Sequence, residues 1–369
     1  MSFFLFLVIL RKKQKQMGNK MSDMLPIYVA FSTNDTYIPY LDVCLRSLID
    51  YADKEKDYHV FILYSTIIAE NIQKIKELEQ KNISISFINV QSSLSKAQED
   101  TFFINNHLTI ETYFRFFLPD IFPQLDKILY LDCDMLIQKD IAELYQTNID
   151  GFYLGATRDL GIVLGLHKTK EKNVKYYTQT LNLTNPYDYF QAGCLLFNLK
   201  EMRKDKIPQL LIEKLKQIKT PMFHDQCILN AVCKDKIFFV PQNWNFTWHI
   251  YIIESQWEKY LGKTYCEIYS NAKENPYIIH YTGGQIKPIN YPQLSESKKF
   301  WKYALQSSYY DILWGQLINI YNTKIQNAIK ETSRLIKYKI LGKILIGPLK
   351  KKYKQKYLYL YQKLTGEQL

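Results

Sequence analysis

The stretch KILYLDCDMLI (127–137) decides the reading of this sequence. An apolar run leads into Asp132-Cys133-Asp134, and apolar residues resume at once. On an extended segment, residues i and i+2 point to one face, so the two carboxylates lie side by side. Such a pair repels unless a cation sits between its members, and leaving both unpaired at the end of a buried strand is costly. The arrangement suits a hard divalent ion. An Asp-x-Asp triplet alone also serves as a strand-end cap or turn. The apolar strand around this one is what favours a metal.

Working outward, LPIYVAF (25–31), YHVFILYS (58–65), ISISFINV (83–90), FYLGATRD (152–159), GCLLFNL (193–199) and YIIHYTGG (277–284) read as further strands. Residues 38–52, 67–81, 109–122 and 225–234 carry helical spacing, and Pro119 is expected to end the third of these helices. Alternation at this spacing predicts an α/β fold with a mostly parallel central sheet flanked by helices. Ligands in such sheets bind outside the carboxyl ends of the strands. Asn34-Asp35, the Asp132/Asp134 pair and His280 all fall at those ends. No GxGxxG follows the first strand and no GxxxxGK[ST] occurs, so dinucleotide and P-loop readings lack their motifs.

His280 closes an apolar strand and precedes Gly283-Gly284 and Lys287-Pro288. It is the candidate third ligand. Two carboxylate oxygens plus an imidazole nitrogen suit Mn²⁺, and Mg²⁺ less well. Positions left open on the ion would take the phosphates of a nucleoside diphosphate. Glycine at 283 and 284 lets backbone approach a phosphate closely, and Lys287 would neutralise its charge.

The 369 residues carry a formal charge of +12, and its placement is informative. Residues 1–20 contain five Lys/Arg and no acid; residues 324–369 contain twelve against Glu331 and Glu367. Removing those +5 and +10 leaves −3 for residues 21–323. A slightly acidic body with basic ends fits an anionic membrane surface better than a nucleic-acid groove, so no nucleic acid is expected. Residues 1–23 form an apolar-then-basic extension, MSFFLFLVIL followed by RKKQK, too short to span a bilayer. It reads either as an interfacial anchor or as a start upstream of an initiator at Met21 or Met24. Residues 24–306 make up the catalytic domain and 307–369 a helical, strongly basic tail, broken at Gly347-Pro348, in which lysines would snorkel to headgroups. The six cysteines include no CxxC pair, so neither a zinc site nor a disulfide framework is readable, and a reducing compartment is expected.

Five blocks in order, HLTIETYFRFFLPD, LDKILYLDCDMLIQKDIAELY, YFQAGCLLFNL, HDQCILN and IIHYTGGQIKP, resemble the family 8 glycosyltransferases. That retaining class includes bacterial lipopolysaccharide α-galactosyl- and α-glucosyltransferases and is related to glycogenin. The resemblance runs from about Ile27 to Trp301. It implies a GT-A fold, the nucleotide-diphospho-sugar transferase sandwich, and transfer of galactose or glucose from a UDP-hexose donor. Asp132, Asp134 and His280 would bind Mn²⁺. Asn34, Thr36 and Tyr37 lie where the family holds uracil and ribose. Arg115, Asp159, Gln191 and Asp225 lie where it contacts the donor sugar, and Gln226 lies beneath the anomeric carbon. Gly283 and Lys287 lie on the diphosphate.

The sequence departs from the pattern at several of these positions. Asn34 and Thr36 stand where Asp and Asn are usual, Gln191 where Asn is usual, and Cys227 where some members carry an acid. The stretch from His280 to Lys287 is one residue longer than the common pattern.

The expected partner is a lipid-linked or oligosaccharide acceptor, in lipopolysaccharide or other surface-glycan synthesis. The expected location is peripheral, on the cytoplasmic face of the membrane. The competing readings are a nucleotide-sugar hydrolase or nucleotidyltransferase, and a non-enzymatic basic protein that binds membrane or nucleic acid.

Overall fold

A computed structural model describes residues 26–93, 101–102, 109–168, 172–253, 257–283 and 287–365. The apolar N-terminal extension and Gly284 lie outside them. The chain divides into two compact units, 1–280 and 281–369.

In the first unit, seven strands form one sheet in the order β3-β2-β1-β4-β7-β6-β8. These are β1 (Ile27–Thr33), β2 (Tyr58–Tyr64), β3 (Ile83–Asn89), β4 (Lys127–Leu131), β6 (Leu154–Arg158), β7 (Phe190–Asn198) and β8 (Ile237–Phe239). The β1–β2, β2–β3, β1–β4 and β6–β8 pairs are parallel. Strand β7 alone runs against both its neighbours. All nine of its residues are buried, as expected of a strand with elements on both faces. Leu195, Leu196 and Phe197 are fully enclosed, each contributing about 2 kcal/mol of hydrophobic stabilisation. The core around β4 and β7 is filled by Phe114, Phe116 and Leu118 and by Leu211, Leu215 and Ile228.

A three-stranded sheet in the order β5-β10-β9 adjoins it in sequence, with β5 (Met135–Ile137), β9 (Phe246–Thr247) and β10 (Ile278–His280). Strand β4 ends at Leu131 and β5 begins at Met135, so Asp132-Cys133-Asp134 is the link between the two sheets. That position explains why acids interrupt an otherwise apolar run.

Helix α1 (Ile38–Tyr51) follows β1, α2 (Ala69–Lys76) follows β2, α3 (Leu160–Lys168) follows β6, and α4 (His224–Cys233) precedes β8. Between 109 and 122 the structure corrects the sequence expectation of one helix ended by Pro119. Ile110–Phe117 is 3₁₀, and Pro119 sits in the first turn of a short α segment, Leu118–Ile121. Proline lacks an N–H, and the N–H groups of a first turn have no intrahelical partner anyway. Pro119 therefore opens a turn rather than closing one.

In the second unit, α5 (Ser295–Ala304) is followed by α6 (Tyr310–Ile344) and α7 (Gly347–Thr365). The break at Gly347-Pro348 falls where the sequence places it, and Gly347 takes a φ of 65° that few other residues adopt readily. Contacts of Gly342 with Lys354, Tyr338 with Tyr353 and Lys356, and Lys339 with Tyr357 run in opposite chain directions, so α6 and α7 form an antiparallel hairpin. Trp314 stacks on Tyr310 and meets Trp301 edge-on. No helix among the described residues is long and apolar enough to cross a membrane.

Candidate active site

The carboxyl ends of β1 and β4 carry the two groups that the sequence singles out. Asn34 follows β1 and Asp132 follows β4, and these strands are neighbours in the sheet. The backbone N–H of Asp132 donates to the Gly193 carbonyl at 2.8 Å, extending the β4–β7 ladder by one bond and fixing where Asp132 points. His280 arrives by a different route. Strand β10 pairs antiparallel with β5, placing His280 opposite Met135, next to Asp134. Register, not proximity in sequence, assembles the three residues.

The ligand atoms of Asp132, Asp134 and His280 lie within 4.8 Å of one another. His280 Nε2 is 3.3 Å from Asp134 Oδ1 and 3.7 Å from Asp132 Oδ2. Within 4.8 Å and at an effective dielectric near 20, two carboxylates repel by at least about 3 kcal/mol, which a bound dication would reverse. The ring of His280 is buried, and its orientation follows from a chain of hydrogen bonds with only one consistent polarity. The Gly193 backbone N–H must donate, so the atom it meets at 2.6 Å is the Gln191 carbonyl oxygen. That oxygen also accepts from Asn245 Nδ2 at 2.7 Å, so the Asn245 carbonyl faces His280 Nδ1 at 2.9 Å. Nδ1 therefore carries the proton and donates to Asn245, and Nε2 is turned toward the two carboxylates.

Gly193 adds a steric requirement. A β-carbon there would collide with the His280 ring and lie 2.6 Å from Asp132 Oδ2. Two carboxylate oxygens, an imidazole Nε2 with its other nitrogen spoken for, and a neighbour trimmed to hydrogen form a donor set that fits a divalent ion such as Mn²⁺.

Arg115 ties this group to the rest of the site. Its Nη2 donates to Asp132 Oδ1 at 2.9 Å, its Nη1 donates to the Ala192 carbonyl, and its Nε lies 3.1 Å from Asp225 Oδ2. That last contact is ionic rather than a hydrogen bond, because the Nε proton points at the Thr112 carbonyl at 3.1 Å. Burial works against the guanidinium's charge, but Asp132 and Asp225 more than offset it and hold the group above its ordinary value. Burial pushes the Asp225 carboxyl up to about 6; Arg115 pulls it back and the Asp132 charge adds to the rise.

Gln226, one residue on, is fully engaged. Its Oε1 accepts from the Ala192 N–H at 2.9 Å and its Nε2 donates to Asp159 Oδ2 at 2.9 Å. The other Asp159 oxygen accepts from the Ile162 N–H at 3.1 Å, capping α3. Next to Asp159 the β6–β7 register shifts between Ala156 and Arg158, a bulge of the kind that re-aims side chains beside sites. Asp132, Asp134, Asp159, Gln191, Asp225, Gln226, Arg115 and His280 are thus linked through one continuous set of contacts.

Asn34 stands at the end of β1 in an Asx turn, its Oδ1 accepting from the Thr36 N–H at 3.0 Å. Its Nδ2 donates to Thr109 Oγ1 at 3.1 Å and lies 3.4 Å from Glu111 Oε2. Tyr37 precedes α1, and its N–H donates to the Asn34 carbonyl at 3.0 Å. Gly283 and Lys287 belong to the second unit. Gly283 has a φ of 94°, and Lys287 is buried with its Nζ donating to the Tyr281 carbonyl at 3.1 Å.

Four residues of the first unit have no counterpart in the sequence reading. Asn245 fixes the histidine and Gly193 makes room for it. Glu111, buried, accepts from Ser65 and Asn34. His249 stands beside Asp159 and Gly161 with a buried Nδ1 that finds no hydrogen-bond partner among the described residues. Burial lowers its basicity most; Asp159 opposes that and His280 adds to it.

Comparison with known proteins follows the same lines. A putative glycosyltransferase of Haemophilus influenzae is 31% identical over 59% of this chain and 63% of its own length. The lipopolysaccharide 1,2-glucosyltransferase of Escherichia coli is 24% identical over 76% of this chain and 78% of its own. Among solved structures, the galactosyltransferase LgtC, in complex with donor and acceptor sugar analogs, superposes with a TM-score of 0.62 at 25% identity, covering 76% of this chain and 96% of that one. The family model for glycosyl transferase family 8 matches residues 28–293, and the chain belongs to that family of GT-A glycosyltransferases.

Proposed function

We propose that this glycosyltransferase is a metal-dependent, retaining hexosyltransferase that moves galactose or glucose from a UDP-sugar to a lipid-linked or oligosaccharide acceptor in lipopolysaccharide or other surface-glycan synthesis. The observation that carries the metal and the diphosphate is the convergence of Asp132, Asp134 and a His280 whose Nε2 is turned to meet them. When bound there, Mn²⁺ supplies Lewis-acid neutralisation of the charge that grows on the departing diphosphate. The E. coli relative's name and the LgtC likeness support a hexose donor and a glycan acceptor.

The remaining roles follow from this chain's own side chains. Asn34, held in its Asx turn at the end of β1, is the residue offered to the uracil, with Thr36 and Tyr37 beside it. As the anomeric C–O bond breaks, positive charge grows on the sugar. The Asp159 and Asp225 carboxylates, the second held beside Arg115, supply the negative charge that stabilises it. Gln226 is poorly suited to attack, since its amide is already committed at both ends and is a weak nucleophile. The acceptor hydroxyl therefore approaches from the face the diphosphate leaves, gives its proton to the departing phosphate oxygen and forms the new bond with retention.

The test is a thermal-shift panel of UDP-sugars with Mn²⁺, repeated with Asp134→Ala, followed by product analysis with and without an acceptor glycan. Stabilisation by a UDP-hexose only when Mn²⁺ is present, its loss in the variant, and an α-linked product from an α-linked donor are expected. Full transfer by Asp134→Ala, or in excess chelator, would remove the metal from the reaction. Release of free sugar alone, whatever acceptor is offered, would favour a hydrolase.

A further inference from the structure

Helix α6 carries an apolar stripe that its partner helix does not cover. Ile318, Ile325, Ile329, Ile336 and Ile340 follow one another at intervals of seven, four, seven and four residues. At 100° per residue all five fall within about 60° of arc, in a line about 33 Å long. Each is between 41% and 55% exposed. Trp314, 44% exposed, stands at the N-terminal end of the same line. Tyr338 and Gly342, which face α7, are turned about 150° away from it. The hairpin therefore buries a different side of α6 and leaves the isoleucines facing outward.

The charge on this hairpin indicates what covers the stripe. Residues 310–365 hold twelve Lys/Arg against Asp311 and Glu331. Lys330, Lys337, Lys339 and Lys343 of α6 lie beside or between the isoleucines. Two copies joined stripe to stripe would bring these cationic flanks together, within the roughly 8 Å over which charges interact at physiological salt. An anionic bilayer meets both features. Its acyl boundary takes the isoleucines, its phosphates take the ammonium groups, and a Trp at one end suits the headgroup level. The helix is too polar to cross the bilayer.

We propose that α6 lies flat on an anionic lipid surface, with the Trp314–Ile340 stripe set into the boundary between headgroups and acyl chains. This inference stands on the second unit alone and does not rest on the proposed transfer reaction.

The experiment is flotation of the full chain with vesicles of phosphatidylcholine alone, or of phosphatidylcholine mixed with an equal part of phosphatidylglycerol. The expected result is binding to the mixed vesicles that weakens with added salt, and little binding to the neutral ones. Ile325→Glu/Ile329→Glu should lower partitioning at least about tenfold. Thr323→Glu/Asn327→Glu, with the same change in charge on the exposed opposite side, should lower it far less. Ile325→Ala/Ile329→Ala adds no charge and keeps a good helix former, and should also weaken binding. Circular dichroism checks that the hairpin persists in each variant. Equal partitioning by the wild type and both isoleucine variants, or equal binding to neutral and anionic vesicles, overturns the proposal. So does sedimentation showing a dimer that the isoleucine variants abolish, which would make a second copy the occupant.

Discussion

The Asp132 site and the α6–α7 hairpin solve opposite problems. The site takes charge out of water: Arg115 and Asp225 are both buried. The hairpin leaves hydrocarbon in water: most of α6 beyond Tyr321 is exposed except where it faces α7. Burying a charge is tolerated only where each ion meets a partner, so the site is a closed set of contacts that constrain one another. Exposing isoleucine requires no partner inside the chain, so the hairpin is held by one face and free on another. A single substitution should therefore propagate widely in the first unit and stay local in the second.

The largest test of that contrast is Arg115→Met. It keeps much of the side chain's volume and removes the cation that Asp132 and Asp225 share. Orphaning a buried charge costs on the order of 3 kcal/mol, which should appear as a fall in denaturation midpoint of the first unit. Arg115→Lys keeps the charge but cannot reach Asp132, Asp225 and the Ala192 carbonyl at once, and should fall between the two. A Met variant as stable as the wild type would show that the contacts around Arg115 do not depend on one another.

A smaller effect is expected at Asn245, which touches no proposed substrate. Asn245→Leu removes the acceptor that holds the proton on His280 Nδ1. Loss of such an outer partner typically weakens metal binding by about 10- to 100-fold. Asn245→Asp restores an acceptor for the imidazole and should recover part of the loss. Mn²⁺ titration by calorimetry reads both. If Leu and Asp behave alike, the ring is held by packing alone.

How much of this was legible beforehand follows from the same division. The Asp132/Asp134 pair could be read because an i, i+2 spacing on an apolar strand is local information. His280 could be read because it ends a strand; the five ordered blocks carried Arg115, Gln191, Asp225 and Gln226 by resemblance, and Asp159 came from the same resemblance outside those blocks. Asn245 could not be read: in NWNFTWHI nothing distinguishes it, and its role exists only once β10 lies between β5 and β9. Gly193 sits inside a quoted block, yet its necessity lies in the imidazole and carboxylate around it. The 3₁₀ turns at Ile110–Phe117 escaped because apolar spacing does not distinguish them from an α-helix. In the tail the lysines were conspicuous from the start. The isoleucines line up only because α6 runs unbroken from Tyr310 to Ile344.

The smallest expected effect tests a loose end beside that set. Among the described residues the buried His249 Nδ1 finds no hydrogen-bond partner, and the ring's basicity is lowered mainly by burial. The folded chain therefore holds this ring neutral, whereas the unfolded chain protonates it near the ordinary value of 6.5. Stability is full above that pH. It falls as the pH drops through it, because the unfolded state takes up a proton that the folded state refuses, and it levels off once the folded ring is protonated too. His249→Phe removes both the titration and the unsatisfied nitrogen. The variant should match or slightly exceed the wild type at neutral pH and show a shallower loss of stability below about 6.5, with a change smaller than that at Asn245. Identical pH profiles for the two proteins would mean that burial does not hold the His249 ring neutral.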